Sequence, residues 1–184
     1  VLEVGPGKAY TNPGLAARVA VPGDTILIYP ANYSGPFFIE NLKGTPSKWI
    51  FMRGTDAARV VFSGGSESMH FTDLQYVHLS NFTVRGQSGN GMNLDDGGTF
   101  ESAAKKVVME NIVFRDMAAT GNNDMLKLSG LDSFEIINCQ FENGSTGGSG
   151  IDMVGCHYGS IRQCRFVQQG SNSIQAKGGS SNLH

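Results

Sequence analysis

No apolar run in this 184-residue chain approaches the roughly 18 residues that a membrane-spanning helix needs, so no membrane span is expected. Charge is also scarce: 16% of residues are charged, and 14 Lys and Arg face 16 Asp and Glu for a formal charge of −2. That balance excludes a nucleic-acid binder that works through phosphate contacts. There are three cysteines, Cys139, Cys156 and Cys164, an odd set without a CxxC pair, which argues against a zinc site. Val1 opens directly into strand-like sequence, without a basic, apolar, cleavable leader; any secretion signal is expected to be removed or to lie outside the chain. No segment of useful length keeps the 3.6-residue helical period, apart from one short stretch near the start.

What is present is repetition, punctuated by 25 glycines. MHFTD at Met69–Asp73, MNLDD at Met92–Asp96, LKLSG at Leu126–Gly130, IDMVG at Ile151–Gly155 and IQAKG at Ile174–Gly178 superimpose as one motif. Their starts are 23, 34, 25 and 23 residues apart, within the range of stacked solenoid units. A second series runs in phase: LSNFTV at Leu79–Val84, MENIVF at Met109–Phe114, IINCQF at Ile136–Phe141 and IRQCRF at Ile161–Phe166.

Each unit therefore holds short strands of period two separated by Gly and Asn corners, which predicts an all-β parallel solenoid. A sandwich would need hairpin turns. The column Asn81, Asn111, Asn138, Gln163 falls where the chain must turn, because Asn tolerates left-handed backbone angles and its amide can bond its copy one coil away. Cys139 and Cys164 occupy the same place in consecutive coils, which predicts stacked thiols inside the core about 4.8 Å apart. Stacked in-register strands do not easily supply the dihedral of a disulfide, the competing reading.

The expected organisation is one β-helix domain over residues 1–184: a cap region 1–24, irregular first coils 25–68 and regular coils 69–184. NPGLAARVA at Asn12–Ala20 predicts a short capping helix, with Asn12 as N-cap before Pro13, and Leu15, Val19 and the alanines facing inward over the open end. TILIYP, WIFMRG and VVFSGG read as early strands. Gly97–Lys106 accounts for the long 34-residue step and reads as a loop with room for a helical turn. SSNLH at Ser180–His184 looks like the first half of a further strand, and the expectation is that the chain is the amino-terminal part of a longer solenoid.

VGPGKAY at Val4–Tyr10, VPGDTILIYPANYSG at Val21–Gly35, the stretch from Gly44 to Gly54 ending in WIFMRG, VVFSGG and the Asn-cornered coils together resemble right-handed parallel β-helix proteins of the pectate-lyase-like superfamily. The layout is most similar to the chondroitinase B and alginate lyase group. The resemblance covers nearly the whole chain and is specific for fold more than for activity, since one solenoid hosts lyases, hydrolases, epimerases and adhesins. It implies a long groove along one sheet that receives an extended polysaccharide, and a secreted or periplasmic location. In that group the basic residues and calcium ligands lie on later coils, and they find no match here.

Alternation in the first series assigns Met69, Phe71, Met92, Leu94, Leu126, Leu128, Ile151, Met153, Ile174 and Ala176 to the interior. The outward columns then read His70, Asn93, Lys127, Asp152, Gln175 and, two residues on, Thr72, Asp95, Ser129, Val154, Lys177. His70, Asn93, Asp152 and Gln175 are candidates for binding sugar hydroxyls and carboxylates. Lyase chemistry removes the proton next to a uronate carboxylate and needs a cation for that carboxylate and a base for the proton. Lys127 and Lys177 suit either role, and His157, in the adjoining turn, suits a base. The competing structural reading of Lys127 and Asp152 is a cross-strand ion pair. Lys177 has column neighbours, Val154 and Ser129, that offer no partner.

Asp95 and Asp124 sit in oxygen-rich, loop-adjacent segments and are candidate Ca2+ ligands, although such residues are also ordinary turn formers. Asp95 and Asp96 should point to opposite sides of a strand, which weakens a shared site. A hydrolase would need two carboxylates about 5 to 9.5 Å apart. Asp95 and Asp152, two coils apart, are separated by at least about 9.6 Å of backbone. GHG and RIK signatures of polygalacturonases are absent, with CHYG at Cys156–Gly159 a faint echo. The reading that follows is a carbohydrate-active β-helix, most simply a polysaccharide lyase acting on a uronate polymer, with a non-catalytic binding or adhesin-type solenoid or a hydrolase as alternatives.

Overall fold

The computed structural model describes residues 1–98 and 102–184 of the chain. The strands in order are β1 (Leu2–Val4), β2 (Thr25–Ile28), β3 (Ala31–Tyr33), β4 (Phe37–Glu40), β5 (Ile50–Gly54) and β6 (Val60–Ser63). They continue as β7 (Met69–Thr72), β8 (Gln75–Arg85), β9 (Met92–Asp95), β10 (Ala104–Arg115), β11 (Leu126–Ser129) and β12 (Leu131–Ile137). The last are β13 (Gln140–Glu142), β14 (Ile151–Val154), β15 (Ser160–Arg162), β16 (Arg165–Val167) and β17 (Ile174–Lys177). One helix, α1 (Pro13–Ala17), follows β1.

Every named pairing is parallel, and consecutive coils pair with the same part of their neighbours, so the chain is a β-solenoid of about six turns. One sheet of six strands runs β4-β7-β9-β11-β14-β17; the other, of eleven, follows β1-β2-β5-β8-β10-β12-β15 with short strands at its margin. The first repeated motif lies wholly in the six-stranded sheet, with Leu126 opposite Met92 on one side and Ile151 on the other. The second motif lies in the larger sheet. No helix among the described residues is long and apolar enough to cross a membrane.

The corner column behaves as its residue types require. Asn81, Asn111, Asn138 and Gln163 have φ of 60°, 52°, 51° and 57°, the left-handed region that Asn tolerates best among residues with a side chain. Asn111 Nδ2 donates to Asn81 Oδ1 at 2.6 Å, one link of an amide ladder. A second corner follows the six-stranded sheet, where Asn41, Asp73, Gly130, Gly155 and Gly178 all have positive φ. That column was not singled out from the sequence, because its residues alternate between amide, carboxylate and glycine.

Interior packing follows the alternation. Met69, Phe71, Met92, Leu94, Leu126, Leu128, Ile151 and Met153 are buried. Ile174 and Ala176, expected inside, are exposed; their strand β17 is at the edge of its sheet and pairs on one side only, with β14. Equivalent slots in successive coils hold stacked rings: Phe141 lies 4.9 Å from Phe114 on one side and 4.9 Å from Phe166 on the other, with planes within 5°. Burying such a ring is worth about 2 to 3 kcal/mol, which makes this stack a main contributor to the regular coils. Cys139 is buried and Cys164 half-buried; both are free thiols one coil apart, as the spacing implied for the pair, although the outer one is less enclosed.

Two expectations need correction. The capping helix spans only Pro13–Ala17; Asn12 caps it as expected, accepting from the Leu15 amide, but Leu15 and Val19 are exposed while Pro13 and Ala16 are buried. The small Ala16 side chain lets α1 approach the β1, β2 and β4 strands closely, and Leu15 then falls on the opposite side. In the expected Gly97–Lys106 loop, Gly97 and Gly98 form a turn, residues 99–101 lie outside the described part, and Ala104–Lys106 already belong to β10. Lys105 pairs there with Gln75 and Asp132, so the ladder extends further than the loop-like composition suggests.

Candidate functional site

The outer face of the six-stranded sheet carries the columns identified from the sequence. In-register pairing sets Phe38, His70, Asn93, Lys127, Asp152 and Gln175 in one row across the coils. A parallel row holds Glu40, Thr72, Asp95, Ser129, Val154 and Lys177. Period two makes both rows point away from the core, and strand spacing separates their members by about 4.8 Å.

Side chains on this face form two clusters of opposite build. In the first, the His70 ring lies between two carboxylates, with Nε2 2.5 Å from Asp95 Oδ2 and Nδ1 3.4 Å from Glu67 Oε1. Partial burial disfavours the imidazolium, but the hydrogen bond to Asp95 and the charges of Asp95 and Glu67 outweigh it and raise the His70 pKa above the usual histidine value. Asn93 donates to Glu67 and accepts from Asn90 Nδ2 at 2.9 Å. Asn90 Oδ1 in turn accepts from the Asp124 amide at 2.8 Å, which ties the first cluster to the next coil.

In the second cluster a carboxylate lies between two ammonium groups. Asp152 Oδ2 contacts Lys127 Nζ in a short ion pair and Lys177 Nζ at 3.1 Å. The Asp152 side chain is fully buried, while Lys127 and Lys177 are 25% and 41% exposed. Burial alone would raise the Asp152 pKa, but the hydrogen bonds and charges of Lys127 and Lys177 more than reverse that and hold it below the usual carboxylate value. Asp124 behaves oppositely. Burial pushes its pKa up and the neighbouring Asp152 charge adds to the rise, against the Ser149 amide that donates to Oδ1 and the Lys127 ammonium 3.8 Å from Oδ2. Gln175 stands at the edge of this cluster, its Oε1 accepting from Ser149 Oγ at 3.5 Å.

The structure thus brings Lys127, Asp152, Lys177, Asp124 and Gln175 into one network, and His70, Asn93 and Asp95 into another. The ion pair between Lys127 and Asp152 is present as the column implied. Lys177, expected to lack a partner, has one: the long side chain reaches diagonally back to Asp152 rather than across to Val154. Glu67, Asn90 and Ser149 complete the networks and escaped the sequence reading, because they lie before the repeated motif, two residues ahead of its first interior position.

His157 stands apart. It lies three residues beyond Val154, round the Gly155 corner, with its Nδ1 2.9 Å from Ser181 Oγ. There it lines a cleft of about 600 Å3 with Asp96, Ser129, Asp132 and the backbone of Gly155 and Gly178. That cleft borders the second outward row, whose Ser129 and Val154 also line it, while the Lys177 amine is turned toward Asp152.

The residues present do not fit a single calcium site. Asp124 aligns with Asn90, five residues ahead of Asp95, and is about 16 Å from it along the strand. Asp95 is engaged by His70 and by the Gly97 amide, and Asp96 accepts from the Gly98 amide at its own turn. Among the described residues no group of three His, Cys, Asp or Glu side chains converges as a metal centre would require.

No protein-family model matches the chain, and no curated protein matches it in sequence. Its fold does match solved structures. An alginate lyase from Paenibacillus sp. str. FPU-7 superimposes with a TM-score of 0.72 and 21% identity, over 92% of this chain and 60% of that one. A rhamnogalacturonan lyase superimposes with a TM-score of 0.59 and 13% identity, over 96% of this chain and 61% of that one. The chain spans about 60% of the length of either lyase. Identities this low speak for architecture alone, and the architecture shared with these structures is the parallel β-solenoid.

Proposed function

We propose that this chain is part of a polysaccharide lyase that cleaves a uronate-containing polymer by β-elimination, in a secreted or periplasmic setting where such polymers are met. One observation carries the reading: the amines of Lys127 and Lys177 contact the same oxygen, Oδ2 of the buried Asp152. Two amines held that closely can engage the carboxylate and the adjacent C–H of a single uronate residue. Lys127, held by both Asp152 and Asp124, supplies fixed positive charge for the carboxylate as it gains enolate character. Lys177, an ammonium in the resting site, is more exposed and held by Asp152 alone, so it is the amine that gives up its own proton to solvent before it takes the proton of the uronate. The carbon–oxygen bond at the neighbouring position then breaks as the carbon–carbon double bond forms; the glycosidic oxygen leaves with the electron pair and is protonated by the Lys177 ammonium or by water, and an unsaturated sugar remains. His70, Asn93 and Gln175 extend the same row and offer hydrogen bonds to sugars on either side of the scissile bond. The two superimposed structures are lyases by name, which supports the reading at the level of fold.

A second reading, carbohydrate binding without turnover, is favoured by the degree to which His70, Asn93 and Asp152 are already satisfied by Asp95, Glu67 and Lys127. Incubating the full-length protein with alginate, pectate and glycosaminoglycans and following the ultraviolet absorbance of the unsaturated product separates the two. Absorbance that grows with wild type and vanishes in Lys177→Ala is the expected result. Measurable binding with no unsaturated product from any polymer would overturn the lyase reading, and reducing ends without the chromophore would replace it with hydrolysis.

A further inference from the structure

The row of outward side chains begins one coil before His70, at Phe38, and that residue is anomalous. Its ring is 61% exposed in a row whose other members, His70, Asn93, Lys127, Asp152 and Gln175, are polar, and it lies 5.8 Å from the His70 ring with the planes inclined by 34°. Phe38 is also one wall of a cleft of about 430 Å3 where α1 meets the sheet, lined further by Gly14, Ala17, Arg18, Glu40 and Asn41. That volume lies within the range of small-ligand sites. Arg18 and Glu40 are both exposed, and neither has a side-chain hydrogen bond or ion pair among the described residues. The networks on the later coils are closed upon themselves, whereas this cleft presents an unused ring, an unused guanidinium and an unused carboxylate.

We propose that the cleft is a subsite for a terminal uronate sugar, with the apolar face of the pyranose stacked on Phe38, its carboxylate on Arg18 and a hydroxyl on Glu40. The proposal rests on the reading that a uronate polymer follows the outer row of the six-stranded sheet. Three observations select this occupant. The cleft is continuous with that row, since Phe38 and His70 are register partners. A flat aromatic surface beside hydrogen-bonding groups matches the two-sided character of a pyranose, apolar on its C–H face and polar at its edge. The guanidinium supplies the planar, bidentate donor geometry that suits a carboxylate. The helix makes the site a terminus: α1 packs against β4 and β1, and so closes the row at this end. A chain seated here would be read from one end, which favours release of short products of set length.

The test is calorimetric binding of defined oligouronates of three to eight sugars, from alginate and from pectate, to full-length protein carrying Lys177→Ala so that turnover does not interfere. Phe38→Ala in that background should weaken the longer oligomers by about five- to tenfold, the scale of one aromatic contact, while Phe38→Tyr should retain affinity. Arg18→Ala should weaken uronate oligomers by about fivefold and leave neutral oligosaccharides of equal length unaffected, which keeps the proposal testable even if Phe38→Ala fails to fold. Equal affinity of both alanine variants and the parent for every oligomer would overturn the subsite and leave the lyase reading standing. Length-dependent binding that needs Phe38, in a protein whose wild type forms no unsaturated product, would uphold the subsite and remove the lyase reading.

Discussion

The two clusters on the outer face are inverses of each other. At His70 one cationic ring is held by two carboxylates, a charge of −1 over the three groups when the ring is protonated; at Asp152 one carboxylate is held by two ammonium groups, a charge of +1 over those three, with the Asp124 carboxylate 3.8 Å from the Lys127 amine beside them. Their central groups differ in enclosure, the His70 side chain being 28% exposed and that of Asp152 not at all. The same scaffold, with the same strand spacing, thus builds an acceptor-rich patch on early coils and a donor-rich patch on later ones. On the proposed lyase reading, an anionic polymer would be drawn to the second more than to the first, which puts the proposed chemistry where the buried charge is the anion and the exposed charges are cations.

The most disruptive way to break this contrast is to strip Asp152 of both partners. Replacing Lys127 and Lys177 together with Met leaves a fully buried carboxylate without a counter-charge, and urea denaturation should show a loss of about 3 to 5 kcal/mol. An unchanged midpoint would mean that the lysines do not hold the Asp152 carboxylate in place. A smaller perturbation of stability is expected from Lys177→Ala alone, at most about 1 kcal/mol, because the removed ammonium is exposed and Lys127 remains. Turnover should nevertheless disappear, and a variant that is both stable and active would remove Lys177 from the reaction.

Acidity separates the clusters more gently. The raised pKa of His70 means that its contribution is complete below the unfolded-state value near 6.5 and is lost as pH rises through the folded value. Asp152, with a lowered pKa, contributes above the unfolded value near 3.8 and loses that contribution as pH falls through the folded value. Melting temperatures of wild type and His70→Gln should therefore differ at pH 5 to 6, by the equivalent of about 1 kcal/mol, and converge on the alkaline side. A difference that instead grew with pH would show that the ring is held neutral.

Much of this contrast was legible in the sequence, and the exceptions have physical causes. The interior positions, the Asn and Gln corner and the outward rows follow from period two and from the left-handed tolerance of amides, which act residue by residue. The Lys127 and Asp152 pair followed because directly opposed side chains meet. The diagonal reach of Lys177 did not, since a four-carbon stem spans two residue positions and column logic considers only direct opposition. Glu67 and Asn90 were invisible for a related reason: they precede the repeated motif, and only folding brings them beside His70 and Asp124. The inward face assigned to Leu15 failed because a helix of five residues has too few positions for a periodic pattern to settle its rotation.

The long step between β9 and β11 has a consequence for how such a surface can change. Eleven more residues separate Met92 from Leu126 than separate Met69 from Met92, yet Asn93 still faces Lys127 and Asp95 still faces Ser129. The register offset rises from 23 at Thr72 and Asp95 to 30 at Gln75 and Lys105 and to 34 at Met92 and Leu126, so the surplus enters in two places, between β9 and β10 and between β10 and β11, and leaves the pairing untouched. Each coil is therefore a cassette: its corners can grow into a wall or lip beside the outer face, or its outward pair can be exchanged, without renegotiating any neighbour. The outward rows can then be edited one rung at a time while the scaffold stays constant.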